Sequence, residues 1–243
     1  VTTIRIDLAY DGTNFHGYAR NPGVRTVQGA LEDALSQVLG RPVETSVAGR
    51  TDAGVHARHQ VVSFAAAEAI DLDKLARSLA SMIGPEVAIS AITEAPAGFH
   101  ARFSARRRRY RYFVDEAPVT DPLRRHSVWH VGEELDLAAM NQVAECFVGE
   151  HDFASLCRPA PGKTTVRTVL TAAWSRQDGL VVYEVTGSAF CHQMVRSMVI
   201  LCVLAGRNKL DPAEVPTILE SRDRNAARGA APPHGLVLWE VSF

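Results

Sequence analysis

A single carboxylate, Asp52, sits in the stretch "VAGRTDAGVHA" (47–57), between Gly49 and Gly54 and two residues after Arg50. An ionised aspartate in such a loop has two uses. It can cap the backbone N–H groups of its own turn, or it can attack or electrostatically stabilise an electron-poor carbon. His56 and His59 follow closely, but a metal-dependent hydrolase needs a ligand cluster, and the chain has neither an HExxH pair nor a CxxC. Cys146, Cys157, Cys191 and Cys202 therefore read as small buried hydrophobes, with neither a structural zinc nor a disulfide framework supported.

The second chemically loaded stretch is "ARRRRYRYF" (105–113). Residues 100–114 hold six arginines and no acidic residue. On a strand Arg106, Arg108, Tyr110 and Tyr112 share one face, and Arg107, Arg109 and Arg111 the other. A buried guanidinium needs carboxylates, water or phosphate. Arginines interleaved with tyrosines suit RNA, since guanidinium groups grip phosphates and rings stack on bases; a solvated edge strand is the plainer alternative. "APGKTT" (160–165) resembles the end of a P-loop, but the first required glycine is Cys157, so that reading fails. Lys163 and Arg167 then add positive surface at most.

The elements that must hold these residues can be read from periodicity. "IRIDLAY" (4–10) alternates as a strand and stops at Asp11-Gly12. Val27, Ala30, Leu31, Ala34, Leu35 and Val38 recur at helical spacing between a Thr26 N-cap and a Gly40 stop. Residues 43–48 and 60–65 read as strands flanking the Asp52 loop, a helix spans 71–83, and a strand spans 87–93. The second half gives a strand over 107–114, a helix over 137–147, and a hairpin of 166–175 with 180–186. Helices near 193–204 and 212–221 and a last strand over 236–243 complete it.

Each half thus reads βαββαβ, the ferredoxin-like order, in which an antiparallel sheet carries its helices on one face. The expected fold is α+β, with halves at residues 1–104 and 105–243 and a cleft between the open faces. The size agrees: 243 residues suit two cores of about 100–150 residues better than one. An apolar fraction of 47% with 22% charged residues is that of an ordinary globular protein. The longest strictly apolar run, 198–205, is too short to cross a membrane, and the N-terminus shows no signal pattern, so the expected location is cytoplasmic. The net charge of −1 does not advertise a nucleic-acid partner; the arginine cluster does.

"GRTDAGVHA" resembles the catalytic signature of the tRNA pseudouridine synthase A family, which modifies the anticodon arm. The resemblance runs in order through "YDGTNFHGY" (10–18), "RTVQGALEDAL" (25–35), "RRYRYF" (108–113), "GEHDFASL" (149–156), "SAFCHQMVRSMV" (188–199) and "PPHGLVL" (232–238). It implies that Asp52 is the nucleophile, Tyr110 the tyrosine that packs on the target base, and Arg196 the partner of the aspartate. Leu236 would line the same pocket, and Arg50 would fill the space the flipped uridine leaves. Arg108 and Arg111 are the expected further substrate contacts. The resemblance also implies one continuous, mostly antiparallel sheet, a homodimer with basic clefts for tRNA, and targets at positions 38, 39 and 40. Two departures stand out: Gly17-Tyr18-Ala19-Arg20 where many members carry "GWQ", and an apolar run through Ile200 where a glycine is common.

Pseudouridine formation breaks the bond from ribose C1′ to uracil N1 and rejoins the base through C5. Composition and oxidation state are unchanged, so the reaction calls for no redox cofactor. Whether the aspartate attacks C1′, attacks uracil C6 or removes a ribose proton stays open; each needs the carboxylate ionised. Desolvation opposes that, and the arginine matched by Arg196 would counter it. The alternative from another class is a non-catalytic RNA-binding protein built on tandem ferredoxin-like domains.

Overall fold

The alternating first segment forms β1 (Thr2–Tyr10), with Ile4, Ile6, Leu8 and Tyr10 all buried. A computed structural model describes residues 2–158, 162 and 164–243. Its contacts divide the chain into one unit of Val1–Arg108 with Val237–Phe243, and a second of Arg109–Leu236.

In the first unit, α1 (Val27–Leu39) begins where the Thr26 hydroxyl accepts from Gly29 N–H and ends at Gly40, which is left-handed at φ 66°. Both signals were legible in the sequence because caps are local. β2 is only Ser46–Val47, shorter than the expected 43–48. The reason lies on α1: Ser36 Oγ accepts from Val43 N–H, and Glu32 Oε1 accepts from Thr45 N–H. Those donors are spent on side chains rather than on a ladder. β3 (His56–Ala66) starts four residues earlier than expected, and α2 (Leu72–Ile83) is capped by Asp71, whose carboxylate accepts from Lys74 N–H. β4 (Val87–Glu94) and a single turn, α3 (Ala101–Ser104), follow.

β3 and β4 flank β1, both antiparallel to it, and β2 pairs with β3 at Val62 and Ser63. This β4-β1-β3-β2 order is that of the ferredoxin-like motif. The helices pack on each other, burying Leu31, Leu35, Leu75 and Leu79.

β5 (Arg107–Asp115) opens the second half, its residues from Arg109 onward lying in the second unit. There follow β6 (Trp129–His130), α4 (Leu137–Glu145), β7 (Gly149–Asp152), β8 (Val166–Gln177), β9 (Leu180–Gly187), α5 (Met194–Gly206) and α6 (Val215–Ser221). The strands are ordered β5-β9-β8-β7. The β8–β9 turn places Asp178 and Gly179 at φ 49° and 77°, the pair of positive angles a two-residue hairpin needs. α5 is buried nearly all round, as an apolar helix should be, and Trp174 stacks on Tyr183 at 4.9 Å within this core.

The last strand, β10 (Leu236–Ser242), was expected to finish the second half. From Val237 onward it groups with the first unit, pairing in parallel with β3 at Val237–His56 and Leu238–Ala57. The chain is thus α+β with mostly antiparallel strands. Among the described residues no helix is long and apolar enough to cross a membrane.

Candidate active site

Asp52 lies in the connection from β2 to β3, half-buried, while Arg50 beside it is exposed. The loop is tied down on both sides of the carboxylate. Ahead of it, the Ala48 carbonyl accepts from Arg108, the Gly49 carbonyl accepts from Gln60 Nε2 at 2.6 Å, and the Thr51 hydroxyl lies 2.8 Å from the Tyr10 hydroxyl. Behind it, Val55 N–H donates to the Asp52 carbonyl at 3.2 Å and Gly54 N–H to Phe15 at 3.3 Å.

The 10–18 segment packs against this loop at backbone distance. A side chain on Gly12 would put its Cβ 2.1 Å from the Val55 carbonyl oxygen. At Gly17, with φ +94°, it would lie 3.2 Å from the Thr51 carbonyl oxygen. Tyr18 N–H donates to that same oxygen at 3.0 Å, and Gly12 N–H donates to His56 Nδ1 at 3.0 Å. Close approach of two backbones is what these glycines permit. It explains why "YDGTNFHGY" and "GRTDAGVHA" occur in one chain.

The departure at Gly17-Tyr18-Ala19-Arg20 is accommodated within the first unit. Tyr18 supplies a fully buried aromatic ring. The Arg20 guanidinium is bound to Glu32 at 2.9 Å and Asp33 at 2.8 Å, so it anchors the segment to α1.

The arginine strand alternates as the period of two requires, and its charges find different partners. Arg108, only 9% exposed, donates to the carbonyls of Ala48 at 2.7 Å, Ala105 at 3.0 Å and Arg102 at 3.1 Å. These three carbonyl bonds anchor the guanidinium in the protein. On the opposite face Arg111 Nε donates to Glu184 at 2.6 Å, with Arg109 at 3.7 Å from the same carboxylate.

Within the second unit, Tyr110 is buried and meets Phe190 edge-on at 5.2 Å. Phe190 fits because Gly187 has no Cβ, which would lie 2.9 Å from the Phe190 ring. Tyr112, on the same face of β5, is fully buried; its hydroxyl donates to the Pro232 carbonyl at 2.8 Å, and the Gly235 backbone packs against its ring. This contact seats the segment that delivers the buried Leu236. Arg196 is in the first turn of α5, where Nε donates to the Ala231 carbonyl at 2.7 Å. Arg224 is near enough for burial and the charge of Arg196 to hold its pKa down.

His56 and His59 do not converge: His56 meets Gly12 and Asp11, while His59 bonds Asp7 at 2.9 Å. Among the described residues no three His, Cys, Asp or Glu side chains group as a metal site. Lys163 lies outside the described residues.

Sequence reasoning missed Tyr10, Thr51, Gln60 and Phe190. One signal was available. Gln60 shares the period-two face of Val62, Phe64 and Ala66, and an amide on a core-facing position must find partners or cost about 1–3 kcal/mol.

Residues 8–104 and 143–243 match the protein family described as tRNA pseudouridine synthase. The chain is 44% identical to the tRNA pseudouridine synthase A of Leifsonia xyli subsp. xyli, over 100% of this chain and 92% of that one. It is 45% identical to the protein of that name from Frankia casuarinae, over 99% and 89% of the two chains. The Brevibacillus brevis protein of the same name is 41% identical, with 99% of each chain covered.

Proposed function

The chain belongs to the tRNA pseudouridine synthase family, and from that membership we propose that it isomerises uridine to pseudouridine in tRNA with Asp52 as the reacting carboxylate. The observation that carries the assignment of Asp52 is its setting: a half-buried carboxylate on a loop bonded through backbone and side chain to buried residues before and after it. A mere turn former has no need of such support. A group that must meet an extruded nucleoside in one orientation does, since misplacement of about 1 Å can cost a hundredfold in rate.

In this reading Tyr110 packs on the target base, with Phe190 bracing its ring, and Leu236 supplies apolar wall. Arg196 holds the carboxylate ionised. Arg50, exposed on the loop, fills the space the flipped uridine leaves. Extrusion costs a few kcal/mol, which stacking and phosphate contacts offset. Arg111 contributes to the positive surface while sharing Glu184. Targets at positions 38, 39 and 40 of the anticodon arm, a homodimer and a cytoplasmic location complete the proposal; the family resemblance supports the first two.

The test is release of tritium from tRNA labelled at uridine C5, because forming a bond at C5 expels that hydrogen. The protein is expected to release it, and Asp52→Asn and Asp52→Ala to release none while binding tRNA within a few fold of the parent. Turnover retained in either variant refutes the role of Asp52. Binding without release by the parent protein would instead establish a silent RNA-binding protein. Mapping pseudouridine in the product tests the positions.

A further inference from the structure

We propose that Tyr10 and Gln60 are positioning residues for the Asp52 loop, Tyr10 acting through the Thr51 hydroxyl and Gln60 through the Gly49 carbonyl and the Tyr10 hydroxyl. The inference rests on the reading of Asp52 as the reacting carboxylate.

Three polar side chains meet under the loop: Gln60 is wholly buried, and Tyr10 and Thr51 are nearly so. Gln60 Nε2 donates to the Gly49 carbonyl at 2.6 Å and reaches the Tyr10 hydroxyl at 3.4 Å. That hydroxyl lies 2.8 Å from Thr51 Oγ1. An amide NH2 can only donate, so the phenol oxygen accepts from Gln60, while across the Tyr10–Thr51 contact either hydroxyl can be the donor. The three groups form a hydrogen-bonded chain from the centre of β3 to the residue next to Asp52. Burial pushes the Tyr10 phenol up to about 12, so the chain keeps its proton through the neutral range.

The sheet is adapted to make this chain. β1 pairs Leu8 with Gln60 but Tyr10 with Ala57, so β3 carries an extra residue opposite this short span. Such a bulge re-aims side chains beside a functional loop. Gln60 holds the loop at Gly49 and Tyr10 holds it at Thr51, while Tyr18 N–H holds the Thr51 carbonyl at 3.0 Å. With side chain and carbonyl of Thr51 both anchored, its ψ and the direction in which Asp52 leaves it are set.

The experiment compares kcat, KM for tRNA and melting temperature for Tyr10→Phe, Thr51→Val and Thr51→Ser, with Asp52→Asn in parallel. Tyr10→Phe removes one oxygen atom, and Thr51→Val is close to isosteric. Each is expected to lower kcat about tenfold or more with KM unchanged within about twofold, the signature of an interaction used in the transition state. Thr51→Ser keeps the hydroxyl and is expected to retain most of kcat. The double variant Tyr10→Phe/Thr51→Val is expected to be no slower than either single variant, because both remove the same contact. A purely structural role predicts lower melting temperatures with kcat per folded molecule intact. That result, or Thr51→Ser as slow as Thr51→Val, or additive losses in the double variant, overturns the proposal. Asp52→Asn separates the two levels: if it turns over normally the parent reading fails, whereas an inactive Asp52→Asn beside a fully active Tyr10→Phe defeats the positioning role alone.

Discussion

The Arg108 guanidinium donates to the Ala48 carbonyl oxygen at 2.7 Å, tying a strand of consecutive arginines to the residue that opens the Asp52 loop. With the carbonyls of Arg102 and Ala105 also bound, one side chain ties the start of the Asp52 loop to the α3 turn. Arg108→Met strands these carbonyls and is expected to destabilise the protein by about 3 kcal/mol. Arg108→Lys recovers part of that, since an ammonium lacks the planar fork. Denaturant unfolding measures both. Equal stability of Arg108→Met and the parent would show that the carbonyls find water instead.

Glu184 offsets the charge of Arg111 at 2.6 Å, with Arg109 close by. Removing that carboxylate with Glu184→Gln is expected to tighten tRNA binding at low salt. It should also steepen the log–log salt dependence by about 0.7–0.9 for each phosphate newly gripped. Filter binding across a salt series gives the slope; an unchanged slope would place this face of β5 away from the RNA.

Gly12→Ala puts a methyl group 2.1 Å from the Val55 carbonyl oxygen, a backbone atom that cannot swing aside. The loop is expected to shift as a body, with a stability loss of about 1–3 kcal/mol and a larger proportional loss of kcat than of tRNA affinity. Gly23→Ala, at a positive φ with open space around it, should cost stability alone. Kinetics on both variants separate close approach from backbone strain.

Asp7 accepts from Arg5 at 2.7 Å and lies 2.9 Å from His59, whose other ring nitrogen meets Val241 N–H on β10. Burial pushes the Asp7 carboxyl up, but the bonds from His59 and Arg5 outweigh it and hold the pKa below the usual 3.8. The folded value is below the unfolded one, so the stabilisation is complete above about pH 4 and is lost as pH falls through the folded pKa. Asp7→Asn should therefore be less stable than the parent at neutral pH, and the gap should narrow in acid. Unfolding free energies at neutral and acid pH check this; a gap that is constant with pH would exclude the charge of Asp7 as its source.

The longer strands and helices, the Thr26 and Gly40 caps of α1 and the Asp178-Gly179 turn were legible because each depends on a few neighbouring residues; the short β6 and β7 and the place of β10 in the first unit were not. The motif around Asp52 was legible for the same reason: its residue types and spacing are contiguous. The short β2 was not, because Glu32 and Ser36 take its backbone donors from another element. Nor was the use of Arg108, sixty positions from Ala48, or the partnership of Tyr10 with Thr51, forty-one positions apart. The sequence by itself determined which groups could react and where the longer strands and helices lie, since periodicity and turn chemistry act over a few residues. Only the tertiary structure decided which charges are spent on backbone and which hydroxyls hold the loop, because a buried polar group is satisfied by whatever the fold brings within about 3 Å of it.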